Sequence, residues 1–375
     1  MTSQDTEIAP AGPPRKSALA LWRDILLIAT LIISGLYAGA GFLMPLTLAA
    51  LIFVLITALS DRIAGSQIGN WHPPQWLSYL VGTAAAFLGL FAVTYVLANQ
   101  ASQFARALPH YEAQMDTALA RIAGLLGEDI VAFIRTNIIQ IDMSRVAVTA
   151  IGSAGSFLSS FFLICLYVVF MIGERAVFGI KIERAAQDPV LRADIRTISD
   201  GISKSLQRYV SVKSFVSVLT AVFSYAVFRL LGLEFAETWA VLTFALNFIP
   251  SIGSVLAVIL PALVALIQFE TIGPFLVIGL GCGIVQFLIG NILDPALTGR
   301  SLNLSTFMVI LALTFWSAIW GLLGAFMSVP LTVCILIVFA QIPAMRPLAI
   351  LMSKDGHLAN AATSPDPDAD RHEPK

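Results

Sequence analysis

The stretch SLNLSTFMVILALTFWSAIWGLLGAFMSVPLTVCILIVFAQIPAM, residues 301–345, carries no charged side chain over 45 positions. As one helix it would be about 67 Å long at ~1.5 Å per residue, against roughly 30 Å of bilayer hydrocarbon. It must therefore fold back or cross twice, and Trp320-Gly321 with Gly324 is the natural place to bend. This reading sets the fold class: an all-α, polytopic transmembrane helical protein with broken or re-entrant helices in its C-terminal half.

The rest of the 375 residues agrees. Hydrophobic residues make up 58% and charged residues 12%, where a water-facing domain carries about 25% charged. So large a deficit leaves too little charge to coat a soluble surface, which makes lipid the solvent. The formal net charge of -1 gives no affinity for nucleic acid. Cys165, Cys282 and Cys334 each stand alone in apolar runs, which suits small apolar fillers and indicates neither a disulfide framework nor a metal site.

Outward from the opening stretch, apolar runs cover 25–43, 46–60, 76–98, 151–173, 212–231, 238–267 and 271–290. No charge appears from Ile25 to Ser60, and Gly41 and Pro45 divide that stretch into two passes joined by a tight turn. The second pass is short for a full span, which predicts either little tilt or local thinning of the bilayer. Arg15, Lys16 and Arg23 precede the first, and two passes rather than a cleaved signal peptide fit the length.

The resulting organisation is a cytoplasmic leader (1–24), N-terminal transmembrane helices (25–98), a helical periplasmic domain (99–150) and a transmembrane helix (151–173). A cytoplasmic amphipathic helix (174–211), a C-terminal transmembrane core (212–345) and a cytoplasmic, largely disordered tail (346–375) follow. In 99–150, Phe104, Leu108, Tyr111, Met115, Leu119, Ile122 and Leu126 recur at helical spacing. In 174–211, Leu191, Ile195, Ile198, Ile202, Leu206 and Tyr209 do the same, with Arg192, Arg196, Lys204 and Arg208 on other faces. That helix lies either along an anionic membrane surface or against its neighbours as a solvated helix. Residues 174–213 hold eight Lys and Arg against four in 99–150. The positive-inside tendency then places both termini in the cytoplasm, across the inner membrane.

Candidate function concentrates in the C-terminal half. Between Thr238 and Met345 only Glu270, Asp294 and Arg300 are charged, and charge near a span costs a few kcal/mol, so each asks for a reason. Asn247-Phe248-Ile249-Pro250-Ser251-Ile252-Gly253-Ser254 interrupts an apolar run with a proline and a glycine. A backbone break in lipid is tolerated only against protein or a watery cavity. It therefore reads as a solute site at a broken helix, or as a proline kink that only bends the chain. Gly321 and Gly324, with Pro330, form a second such element, and Pro261 follows Gly253 as Pro330 follows Gly324. Asp294 either binds a cation or proton, or simply pairs with Arg300 at the membrane boundary. Gln286 and Asn303 lie near this stretch and offer amides to a polar path. The candidate substrate or ion site is thus Asn247, Pro250, Gly253, Gln286, Asp294, Arg300, Asn303, Gly321 and Gly324, with no catalytic residue and no cofactor.

Three of these elements carry a resemblance. Asn247 to Gly253 followed by Pro261, Asp294-Pro295 with Gly299-Arg300-Ser301-Leu302, and Gly321-Leu322-Leu323-Gly324 with Val329-Pro330-Leu331 occur in the order seen in the autoinducer-2 exporter (PerM-like permease) family, which the chain resembles from about residue 20 to 350. Arg300 stands where the family usually has lysine, Asp294 where glutamate is common, and Ser305-Thr306 where many members have a polar residue before proline. The resemblance implies about eight spans, a homo-oligomer (pentameric in relatives) and export of a small solute. Members have been linked to autoinducer-2 and to sodium–proton exchange, so a cation/proton antiporter using Asp294 is the second reading, and a non-transporting scaffold the third. No phosphate-cradling Gly-x-x-x-x-Gly-Lys-Ser/Thr loop, His-Glu-x-x-His or Gly-x-Ser-x-Gly motif is present, so neither nucleotide hydrolysis nor an intramembrane hydrolase is indicated.

Overall fold

The computed structural model describes residues 18–65, 76–92, 143–185, 188–298 and 303–356, with isolated positions between 74 and 114. The expected periplasmic domain, most of 99–150, lies outside the described residues, as do Arg300 and the end of the tail. All named elements are helical. The chain divides into two compact units, one ending at Leu43 and one starting at Met44.

The first unit holds α1 (Ala18–Ala38), whose Ile25, Leu26 and Leu31 are exposed. The chain breaks at Gly39 and not at Gly41, because α2 (Ala40–Ala64) accommodates Pro45 within its helix. With 25 residues α2 is about 37 Å long, so the short second pass expected from 46–60 is corrected to a full-length one. In the second unit, α3 (Trp76–Ala92) crosses α2 where Gly82 meets Ser60, and a methyl group on Gly82 would press on the Ser60 hydroxyl. α4 (Met143–Ala185) joins them through Ile164 and Val168, packed with Ala49 and Ile56. Arg175 of α4 bonds the Tyr79 hydroxyl of α3 and lies 3.8 Å from the Asp61 carboxylate of α2.

The amphipathic stretch after 188 is not a separate helix. α5 runs unbroken from Pro189 to Leu231, about 64 Å. Asp188 caps it by accepting from the Val190 amide at 2.9 Å, a bond that pairs one of the orphan donors of the first turn. One continuous helix cannot lie flat on a membrane while its second half crosses it. Near its middle, Tyr209 and Val210 bury against Leu51, Met327, Val329 and Val333. The helix ends at Gly232, whose φ of 73° is the left-handed conformation glycine adopts at lowest cost.

Two helical hairpins follow. In the first, α6 (Ala236–Leu246) reverses through Asn247–Ser251 into α7 (Ile252–Gln268). Its limbs cross so closely that a methyl group on Gly253 would fall on the Leu246 carbonyl. Eleven residues in α6 extend only about 16 Å, too short to span hydrocarbon. Gln268 ties the base, accepting from the Glu234 amide at 2.8 Å and donating to the Gly232 carbonyl at 2.9 Å.

The second hairpin is α10 (Thr306–Gln341), folded at Gly321, whose φ of 60° and ψ of -138° are non-helical. A methyl group on Gly324 would fall on the Trp316 carbonyl, and the Trp316 indole donates to the Thr332 hydroxyl at 3.3 Å. Those two residues would stand about 24 Å apart on a straight helix. The base is tied to the segment after α11 (Arg346–Met352): Ser305 donates its amide to Met352, and Lys354 to Asn303.

α8 (Gly273–Leu288), a π-helical turn (Ile289–Leu293) and α9 (Asp294–Thr298) connect the two bases. Residues 273–297 are long and apolar enough to cross a membrane, so the hairpins enter from opposite ends. Their tips meet in the interior, with Leu246, Ile249 and Ala257 against Leu313 and Ala325. Phe248 stacks on Phe326 at 4.7 Å between ring centroids. Among the described residues four helices meet the length and polarity demands of a span, or five with the bent α4 counted as one. The difference from eight arises largely because α6, α7 and α3 are each shorter than 18 residues and the 301–345 run doubles back on itself. The whole is a multi-pass helical membrane protein, with apolar side chains such as Leu280 and Ile284 exposed along α8.

Candidate functional site: a polar cavity at the first hairpin

α8 presents Gly283, Phe287 and Gly290 at intervals of four and three residues, with Asp294 four residues on, so one face of this helix and its π turn forms a wall. The tip of the first hairpin forms a second wall through Asn247, Pro250, Ser251 and Ser254, and Lys213 of α5 closes the third side. The cavity between them is open to the surface and measures about 580 Å³, within the range of small-ligand sites. Its polarity comes from the amides of Asn247, Gln286 and Asn291, the hydroxyls of Ser251 and Ser254, and one ion pair.

The break at 247–251 follows from its residues. Pro250 has no amide to continue the helix, and Ser251 adopts φ 59° and ψ -57°, which turns the chain back. The Ile252 amide bonds the Pro250 carbonyl at 2.6 Å and the Ile249 amide that of Leu246 at 2.8 Å, so the turn satisfies itself locally. Asn247, 5% exposed, is fixed on two sides. Its amide nitrogen donates to the Ser217 hydroxyl of α5 at 3.1 Å, and its oxygen faces the Gln286 amide of α8 at 3.5 Å. Three elements are thereby oriented around one side chain.

The ion pair departs from the sequence expectation. Asp294 meets Lys213, with Nζ to Oδ2 at 2.8 Å and both side chains largely shielded, whereas the expected partner, Arg300, lies outside the described residues. Asn247, Pro250, Gln286 and Asp294 share the cavity. Gly253 stands just behind the tip, where its missing side chain permits the crossing. Asn303 is elsewhere: its side-chain and main-chain oxygens accept from the Lys354 amide at 3.3 and 3.2 Å, which makes it a tie at the base of the second hairpin. Gly321 and Gly324 shape that hairpin and stand outside the cavity, near the Trp316–Trp320 pair. Lys213, Ser217, Ser251, Ser254 and Asn291 are the residues here that the sequence candidates did not include. Lys213 carried a signal, since it opens the apolar run 212–231 as a charge within a span.

The AI-2E family transporter model matches residues 26–344. The AI-2 transport protein TqsA of Escherichia coli (strain K12) is 29% identical over 328 residues, 86% of this chain and 92% of that one. "Putative transport protein YhhT" of the same organism is 28% identical over 307 residues, 80% of this chain and 85% of that one. A relative from Haemophilus influenzae, described in the same words without a symbol, is 27% identical over 350 residues, 89% and 97% of the two chains. With the match running from α1 through both hairpins, this multi-pass membrane protein belongs to the AI-2E transporter family.

Proposed function

We propose that this transporter exports a small, neutral, hydroxyl-bearing solute of the autoinducer-2 type, and that the cavity at the first hairpin is its binding site. The observation that supports this most directly is the lining: the buried amides of Asn247 and Gln286 at its back, with Asn291, Ser251 and Ser254 nearer its mouth. Such groups exchange hydrogen bonds with a polyol, while the single ion pair leaves no net charge to attract an anion or a free cation. The two opposed hairpins supply the means of alternating access, because tips that meet in the interior need only small displacements to open the cavity toward either side.

Transport belongs to the transmembrane core and no chemical step on the solute is invoked, so the protein acts as a permease and not as an enzyme. A homo-oligomer in the inner membrane with both termini cytoplasmic is the working assembly. The basic residues of 174–213 support that orientation.

Purified protein in liposomes tests the reading. Wild type is expected to release trapped autoinducer-2 faster than empty liposomes do. Asn247→Ala removes a hydrogen-bonding group worth about 1.4 kcal/mol, and so is expected to weaken binding roughly tenfold. Equal release from protein-containing and empty liposomes rejects the proposal.

A further inference from the structure

The cavity holds one feature that solute binding by itself does not require: a charged pair shielded from water. Among the described residues Lys213 and Asp294 are its only charged lining residues, and they meet at 2.8 Å with 16% and 21% of their side chains exposed. They belong to elements far apart in sequence, Lys213 to α5 and Asp294 to the junction of the π turn with α9. Burying two charges costs several kcal/mol each before their attraction is counted, and an apolar pair would hold the helices at least as well. The Tyr209 hydroxyl, four residues before Lys213 on α5, also interacts with Asp294.

We propose that Lys213 and Asp294 form the proton-coupling site of the transporter, with the Lys213 ammonium acting as a resident counter-cation where a metal ion would otherwise sit. The inference rests on the cavity being the transport site. With Asp294 ionised, the ammonium is held by the carboxylate and the amide oxygens on the cavity wall are left to accept hydroxyls of the solute. A proton arriving from the acidic side binds an Asp294 carboxylate oxygen and converts the pair to ammonium beside neutral acid. The ammonium, without its anion, turns to the amide oxygens of Asn247 and Gln286 and displaces the solute. When the cavity faces the other side the carboxyl releases that proton to water and the pair reforms. One proton enters for each solute that leaves, and no electron or covalent bond changes hands. Because the ammonium fills the cation position, sodium has no place in the cycle.

Liposomes containing wild type, Lys213→Gln or Asp294→Asn, with a pH-sensitive dye enclosed, separate this from a purely structural pair. Autoinducer-2 is the probe, and proton or sodium gradients are imposed in turn. Wild type is expected to move protons in step with autoinducer-2, and to concentrate it under a proton gradient but not under a sodium gradient. Asp294→Asn is expected to lose proton movement. Lys213→Gln, which empties the cation position beside an intact carboxylate, is expected to become sodium-dependent, while Lys213→Arg retains proton dependence. Autoinducer-2 flux in wild type without proton movement, or driven by sodium, overturns the coupling role and leaves the proposed function standing. No flux in wild type removes the transport reading itself. Should the Lys213→Gln protein fail to fold, the wild-type proton measurement alone decides the matter.

Discussion

Replacing Gly253 by alanine tests the geometry on which the cavity depends. The added methyl group would fall on the Leu246 carbonyl oxygen and approach the Ile249 Cβ to 3.1 Å. Carbon and oxygen need well over 3 Å, so the limbs of the first hairpin must part by more than about 1 Å at their crossing. Overpacking costs about 1–3 kcal/mol when side chains can give way. Here the obstacle is backbone, and the tip is also clamped by Leu313 and Ala325 of the second hairpin, so the upper end, about 3 kcal/mol, applies. Scaled as for a water-soluble chain of this length, that corresponds to a fall in apparent Tm of roughly 4 °C. Gly279 is the internal control, because nothing lies within 4 Å of a methyl group there and alanine gains up to about 1 kcal/mol of helix propensity. Thermal unfolding in detergent can be followed by the fluorescence of Trp316 and Trp320, both buried beside the second hairpin. If Gly253→Ala and Gly279→Ala unfold together with wild type, the close crossing is wrong and the cavity built on it falls.

Two further substitutions probe the second hairpin by different mechanisms. Gly321→Ala meets open space but forces a φ of 60° on a residue with a side chain; a loss of about 1–3 kcal/mol is expected, read as a lowered unfolding temperature. Ser305→Ala removes the cap that accepts from the Met308 amide at 3.1 Å, and about 1 kcal/mol should be lost in the same assay, while Ser305→Asp restores it.

Much of the fold was legible because lipid imposes simple arithmetic. An uncharged run of 45 residues cannot be one span, and Gly321, with no side chain to forbid it, marks where the chain reverses. Pro250 and Gly253 revealed the other break for the same reason. The candidate site was only half legible. Asn247, Pro250, Gln286 and Asp294 converge, but Asn303, close to them in sequence, bonds the chain beyond α11 instead. Lys213 escaped because it ends a basic stretch and reads as one more cytoplasmic charge. The unbroken α5 escaped as well, since a change of composition along a helix looks like a change of element.

Sequence by itself determined the solvent and the two places where helices are interrupted, both of which are local: charge density decides whether a segment tolerates lipid, and a missing amide or side chain decides where a helix can break. Only the tertiary structure decided that the hairpins point at each other and that Asp294 meets Lys213, 81 positions away. Electrostatic attraction depends on distance through space, and the chain sets that distance only once α5 and the π turn are packed side by side.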